Sequence, residues 1–151
     1  MKKVLIILGI LFVLGIAIVA GIMGFVAYNG TKLDASSKEY VDQVIPPIIS
    51  TWSDTELLDR ASPELKAIAT KDQIVPLFKK LSELGKLKEY QGSKGDSLMS
   101  YTTQNGKRIT AKYVANALFE NGTADINIQL IQHGGNWQIL SFHVNSPIFL
   151  K

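Results

Sequence analysis

Val4 to Tyr28 is a run of 25 residues with no charged and no strongly polar side chain. Roughly 20 apolar residues suffice for a helix to cross the hydrocarbon core of a bilayer. The run predicts a single transmembrane helix over 4–28, with 1–3 as a cytoplasmic tip. Residues 29–35 read as a short linker and 36–151 as one tethered domain. Lys2 and Lys3 stand directly before the run, whereas the mixed set Lys32, Asp34, Lys38 and Glu39 follows it. Positive charge concentrated in a short flank marks the cytoplasmic side. The expected location is a cell membrane crossed once, N-terminus inside, with the C-terminal domain extracytoplasmic, either periplasmic or on the outer face.

A cleaved signal peptide is the rival reading, which would leave a secreted soluble domain. Its apolar region spans roughly 7–15 residues and ends at a small-x-small site. This run is longer, and the residues two before Ala20 and Ala27 are Ile18 and Phe25, neither of them small. The pattern favours an uncleaved anchor. The chain has no cysteine. That excludes lipid attachment through cysteine, disulfides and thiolate chemistry, and removes the commonest structural zinc ligands. Ala17, Gly21 and Gly24 form a small-residue stripe, with Ala20 beside them. Such a stripe lets two membrane helices approach closely. A homodimer through Ala17, Gly21 and Gly24 stands beside the plainer reading that small residues are common in membrane helices.

Beyond the run, 14 basic residues face 13 acidic ones, a net charge of +1. A near-neutral domain with scattered signs gives no electrostatic footprint for nucleic acid. About 115–120 residues are enough for one small domain with its own core. Asn29-Gly30-Thr31 signals a turn in the linker. It also matches the glycosylation pattern, as does Asn121-Gly122-Thr123; both read first as turns.

Ser36 to Trp52 predicts the first outer helix, with Ser36 and Glu39 at capping-box spacing. Val41, Val44, Ile45, Ile48, Ile49 and Trp52 follow the helical period. Pro46 and Pro47 lack N–H groups and predict a kink or restart. Ser53 with Glu56 starts a short helix to about Arg60, and Ser62-Pro63-Glu64 starts another. Thr70 or Asp72 caps the next helix, which runs to Leu84 and stops at Gly85. Its apolar stripe is Ile74, Leu77, Phe78, Leu81 and Leu84, with Lys79 and Lys80 on a solvated face.

From Leu87 the period becomes alternating. Asn105-Gly106 and Asn121-Gly122 are two-residue hairpin signals, and His133–Asn136 is a third turn. Strands are expected over 97–104, 107–120, 123–133 and 137–146, with 87–91 as a further strand. Pairing across Asn121-Gly122 sets Phe119 against Ala124, Ala115 against Ile128 and Tyr113 against Leu130. For the last pair of strands, burial selects the register Leu130–Leu140, Ile128–Phe142 and Ile126–Val144, because a one-residue slip exchanges faces. That register calls for an odd-length loop. The opposite face carries Asn116, Asn127, Gln129, Ser141 and His143.

The fold class is α+β: an N-terminal transmembrane helix, then helices packed on a curved antiparallel sheet of four to five strands. Trp52-Ser53-Asp54, Leu57-Leu58, Ala61-Ser62-Pro63-Glu64-Leu65 and Leu84-Gly85-Lys86-Leu87 give residues 36–146 a resemblance to the nuclear-transport-factor-2-like, or cystatin-like, superfamily. They also resemble small bacterial single-pass membrane-anchored proteins with that fold. The resemblance implies a bent sheet wrapped round helices as a cone. It also implies either a polar catalytic cone or a subunit that only binds partners.

The two histidines, His133 and His143, fall about 20 Å apart along the strands, too far to share a metal. The predicted inner face of the last three strands carries no carboxylate or histidine for acid–base chemistry. No nucleophile elbow, zinc-protease or phosphate-loop pattern occurs. No cofactor, metal or catalytic set is therefore expected. Small inner-face residues, Ser100, Ala111, Ala115 and Ala117, leave room either for a ligand or for a closely packed helix. In the first case Tyr113 is the polar handle and Tyr40 the second. The expectation is a non-catalytic domain that binds or assembles with a protein partner in the membrane or envelope, anchored in the lipid bilayer by 4–28. A ligand-binding or enzymatic cone is the alternative.

Overall fold

In the computed structural model, residues 2–104 and 106–150 are described. Helix α1 runs over Lys2–Thr51. The chain divides into two compact units, Met1–Leu33 and Asp34–Lys151. In the first unit the large apolar side chains Val13, Leu14, Ile18, Ile22 and Phe25 are all exposed. This helix is long and apolar enough to cross a membrane.

Residues 29–35 are helical, which corrects the expected turn at Asn29-Gly30-Thr31. A helix tolerates Gly30 at a cost of about 1 kcal/mol. The Thr31 hydroxyl meanwhile turns back onto the Ala27 carbonyl at 2.9 Å. Nor does α1 break at Pro46 and Pro47. The two prolines deprive the Asp42 and Gln43 carbonyls of helical donors. Val41, Ile45, Ile48 and Ile49 on the same helix are completely buried, and burying such side chains contributes about 1.5–3 kcal/mol each. That sum outweighs two lost hydrogen bonds, so packing holds the helix through the prolines.

α1 ends at Trp52, a non-glycine residue with φ 47°. Its ring stacks on Phe119 at 5.7 Å and meets Phe78 edge-on at 5.6 Å. Helix α2 (Asp54–Arg60) starts at Ser53, whose side chain accepts from Glu56 N. Helix α3 (Pro63–Ile68) starts at Ser62, which accepts from Leu65 N with proline in the first turn. Helix α4 (Lys71–Leu81) starts at Thr70, and a 3-10 turn extends it to Leu84 before Gly85 at φ 80°. Ile74, Phe78, Leu81 and Leu84 face the core, but Leu77 is 53 % exposed and leaves the expected stripe.

The sheet has four antiparallel strands in sequence order: β1 (Leu87–Thr102), β2 (Gly106–Phe119), β3 (Gly122–His133) and β4 (Asn136–Asn145). The expected segments 87–91 and 97–104 are one strand, not two. Its register slips at Gly92, where Tyr90 pairs with Ala117 and Ser93 with Ala115. Gly92 takes φ 85°, the left-handed conformation in which a bulge absorbs an extra residue.

The three hairpins depart from the expected registers in different ways. Across β2–β3, Phe119 pairs with Gly122, Ala115 with Ile126 and Tyr113 with Ile128. The turn is therefore Glu120-Asn121, one residue earlier than the Asn-Gly signal. Main-chain N–H groups of Glu120 and Asn121 donate to Lys86 O and Leu84 O, and Asn121 Nδ2 donates to Glu83 O. These tertiary bonds outweigh local turn preference. The two-residue shift in pairing leaves every side chain on its expected face.

Across β3–β4, Ile128–Phe142 and Ile126–Val144 pair as burial requires. The loop has two residues, however, with His133 opposite Asn136, and Leu130 faces Ile139 instead of Leu140. A bulge at Leu140 restores the facing that an odd loop would have supplied.

Across β1–β2, Thr102 pairs with Gly106 and Ser100 with Arg108; Asn105 lies outside the described residues. A loop longer by one residue than the expected two sets Ser100 on the face opposite Ala111 and Tyr113.

The inner face of the sheet carries Ala111, Tyr113, Ala115, Ala117, Ile126, Ile128 and Leu130. It joins the buried faces of α1, α2, α3 and α4 in a single core.

Candidate functional site

A part-buried cluster of carboxylates and hydroxyls lies between α1 and β1. Asp34 Oδ1 accepts from Ser97 N at 2.7 Å and from the Ser97 hydroxyl. Two turns further on, Asp42 Oδ1 accepts from Tyr90 Oη at 2.7 Å and Ser93 Oγ at 2.6 Å, while its Oδ2 accepts from Lys38 Nζ at 2.5 Å. Tyr113, 1 % exposed, places its hydroxyl 2.9 Å from Ser37 Oγ and donates to the Asp34 carbonyl at 3.1 Å. The spacing 34, 37, 38, 42 keeps these groups on one side of a helix. The same turns of α1 present Val41, Val44 and Ile45 to the sheet.

Each of these polar groups is matched by a partner, and that decides what the cluster can do. Burial pushes the Asp42 carboxyl up, but hydrogen bonds from Lys38, Ser93 and Tyr90 outweigh it and hold the group below the ordinary carboxylate range. Burial, then the bond to Asp42, push the Tyr90 phenol upward. Burial likewise raises the Tyr113 phenol, with Asp34 and Asp96 adding to it and Ser37 and Lys38 opposing. Phenols raised in this way stay protonated at neutral pH and act as donors. A general base needs a carboxylate with an acceptor oxygen open to substrate, and Asp42 Oδ1 is already doubly engaged. The cluster fastens α1 to β1 and β2.

A pH dependence follows. Asp42 has a lower pKa folded than unfolded, so it contributes stability that is fully present at neutral pH. That contribution is lost as pH falls through the ordinary carboxylate value toward the folded one. Replacing Asp42 by Asn should flatten the acid limb of a stability–pH profile measured by thermal unfolding and lower stability at pH 7. An unchanged acid limb would show that the Asp42 contacts carry no net free energy.

The residues expected to line a pocket fall into three places. Ala111, Ala115 and Tyr113 are buried beneath α1, with Ala117 beside them. Ser100 sits on the far side of the sheet, beside a groove of about 520 Å³ that also touches Asp96, Leu98, Arg108 and Lys112. Tyr40 lies at a separate cleft of about 310 Å³ with Ser36, Glu39, Gln43 and Trp137. Asp34 and Asp42 were not singled out from the sequence, and their partners on β1 lie 48 to 63 residues away. No local spacing signals such a meeting.

His133 pairs with Glu64 on α3 at 3.0 Å, both exposed, and His143 meets Asn145 at 2.9 Å. Main-chain and Ser62 hydrogen bonds, with a smaller part from His133, hold the Glu64 carboxyl below its ordinary range against a weak opposing effect of burial. Among the described residues, no three His, Asp or Glu side chains come near enough to share an ion.

No family model, curated protein or solved structure matches the chain.

Proposed function

We propose that residues 4–28 anchor the protein once in a cell membrane, and that the domain from Asp34 onward is a non-catalytic binding or assembly module outside the cytoplasm. The observation that carries this reading is the closure of the inner face of the sheet. In a cone of the nuclear-transport-factor-2-like kind, which we propose as the relative of this domain, substrate would enter there. Here Val41, Ile45 and Ile48 of α1 fill that space against Ala115 and Tyr113. The carboxylates nearest to it are engaged in hydrogen bonds. Val13, Leu14, Ile18, Ile22 and Phe25 are exposed among the described residues, as expected of a surface meant for lipid. Lys2 and Lys3 support an inside N-terminus.

The expected result in native membranes is that the full chain stays in the pellet after an alkaline carbonate wash, while a chain lacking 4–28 is released. Release of the full chain would end the anchored reading. From a detergent extract the protein should then copurify with a partner. Recovery alone and monomeric would end the assembly reading. A homodimer through Ala17, Gly21 and Gly24 is a subsidiary proposal. It fails if Gly21→Leu leaves crosslinking between chains unchanged.

A further inference from the structure

Glu39, Tyr40 and Asn136, at the Tyr40 cleft, have hydrogen-bonding capacity left over. The cleft, about 310 Å³, opens between α1 and the β3–β4 turn. Small-ligand sites begin at roughly 300 Å³. The Trp137 indole is fixed there, because its Nε1–H donates to Ser36 Oγ at 3.1 Å. Gln43 Nε2 donates to Glu39 Oε1 at 3.1 Å, which orients the carboxylate and leaves Oε2 without a partner among the described residues. Neither the Tyr40 hydroxyl nor the Asn136 side chain bonds to another described residue. Burial raises the half-buried Tyr40 phenol, against a smaller pull from Arg60, so it remains a donor at neutral pH. Gly135, at φ 84°, lines the cleft with backbone alone.

We infer that this cleft binds a neutral saccharide. Two aromatic rings offer apolar surface to the C–H face of a pyranose. A carboxylate, an amide and a phenol beside them can each take ring hydroxyls, and buried hydroxyls demand such partners. Among the described residues no cation lines the cleft, the nearby Arg60 being paired with Glu56, and the Glu39 carboxylate disfavours an anionic ligand. The inference rests on reading the domain as a binding module, and gives it a ligand class.

The test uses the full chain in a non-glycosidic detergent, titrated to millimolar concentrations with chitobiose, cellobiose and maltose. The readout is the indole N–H resonance of Trp137, with that of buried Trp52 as internal control. At least one disaccharide should shift Trp137 saturably and leave Trp52 in place. Tyr40→Phe and Asn136→Ala should each weaken that binding roughly fivefold, about the factor a lost hydrogen bond is worth, with unchanged thermal unfolding. No shift with any of the three sugars, or an affinity in both variants unchanged from that of the parent chain, overturns the site. A chain that resists carbonate yet binds none of them loses the saccharide site and keeps the anchored reading.

Discussion

Gly95→Ala should unfold the domain or cost about 4 kcal/mol or more, the range reserved for large steric or cavity defects. Gly95 pairs with Tyr113 in the middle of β1–β2. A Cβ built there would stand 1.9 Å from the Lys112 carbonyl oxygen and 2.8 Å from Tyr113 Cα. Both obstacles are backbone, so no side-chain rotation relieves them. The ladder would have to open between Ser93 and Ser97, the two hydroxyls held by Asp42 and Asp34. Small domains have only about 5–15 kcal/mol in total. Gly92→Ala is the control. A Cβ at Gly92 meets nothing within 4 Å, but its φ of 85° is strained for alanine, at about 1–2 kcal/mol. Thermal unfolding of the full chain in micelles, followed by circular dichroism, should rank Gly95→Ala well below Gly92→Ala. Equal midpoints for Gly95→Ala and the parent chain would mean that β1 does not run in this register.

Trp52→Ala should cost about 3–5 kcal/mol, the usual loss for a large aromatic removed from a core. Trp52 is 9 % exposed and closes the aromatic cluster of Phe78, Phe119 and Phe142. Its indole N–H, although buried, has no hydrogen-bond partner among the described residues. An orphaned donor of this kind costs about 1–3 kcal/mol. Trp52→Phe removes the donor and keeps a ring in place. It should therefore stay within about 1.5 kcal/mol of the parent, as a near volume-conserving exchange does. Denaturant unfolding of the three chains measures the difference. A Trp52→Phe chain as unstable as Trp52→Ala would show that the indole N–H is satisfied in solution.

Local rules carried most of the helical half, although Ser36, expected to start a helix, lies inside α1. Ser53, Ser62 and Thr70 begin helices where their side chains suggest, because capping is decided within four residues. Burial periodicity placed Ile126 against Val144, since only one parity hides both. Turn chemistry carried less. Asn121-Gly122 is displaced because Leu84, Lys86 and Glu83 grip the neighbouring residues from another part of the chain. Ser100 changes face through the β1–β2 loop, and Leu140 bulges to mend a short loop. Pro46 and Pro47 mislead for a related reason: their cost is local, whereas the burial that offsets it comes from residues on β2 and β3. The Asp34 and Asp42 fastenings were illegible, since an isolated aspartate on a helix looks like any solvated one. Tyr40 was legible as a polar handle, but not the cleft beside it, which needs Trp137 brought 97 residues back along the chain.

An open sheet has two rims, and each rim is a row of amides ready to accept a strand from a neighbouring molecule. On β1 the Asp34 carboxylate occupies the Ser97 amide; on β4 the Ser62 amide donates to Ile139 O at 2.8 Å, beside a parallel bridge from Ala61. Copies of this chain held side by side thus meet with their hydrogen-bonding seams partly stitched shut, which hinders the strand-by-strand growth that leads to fibrils.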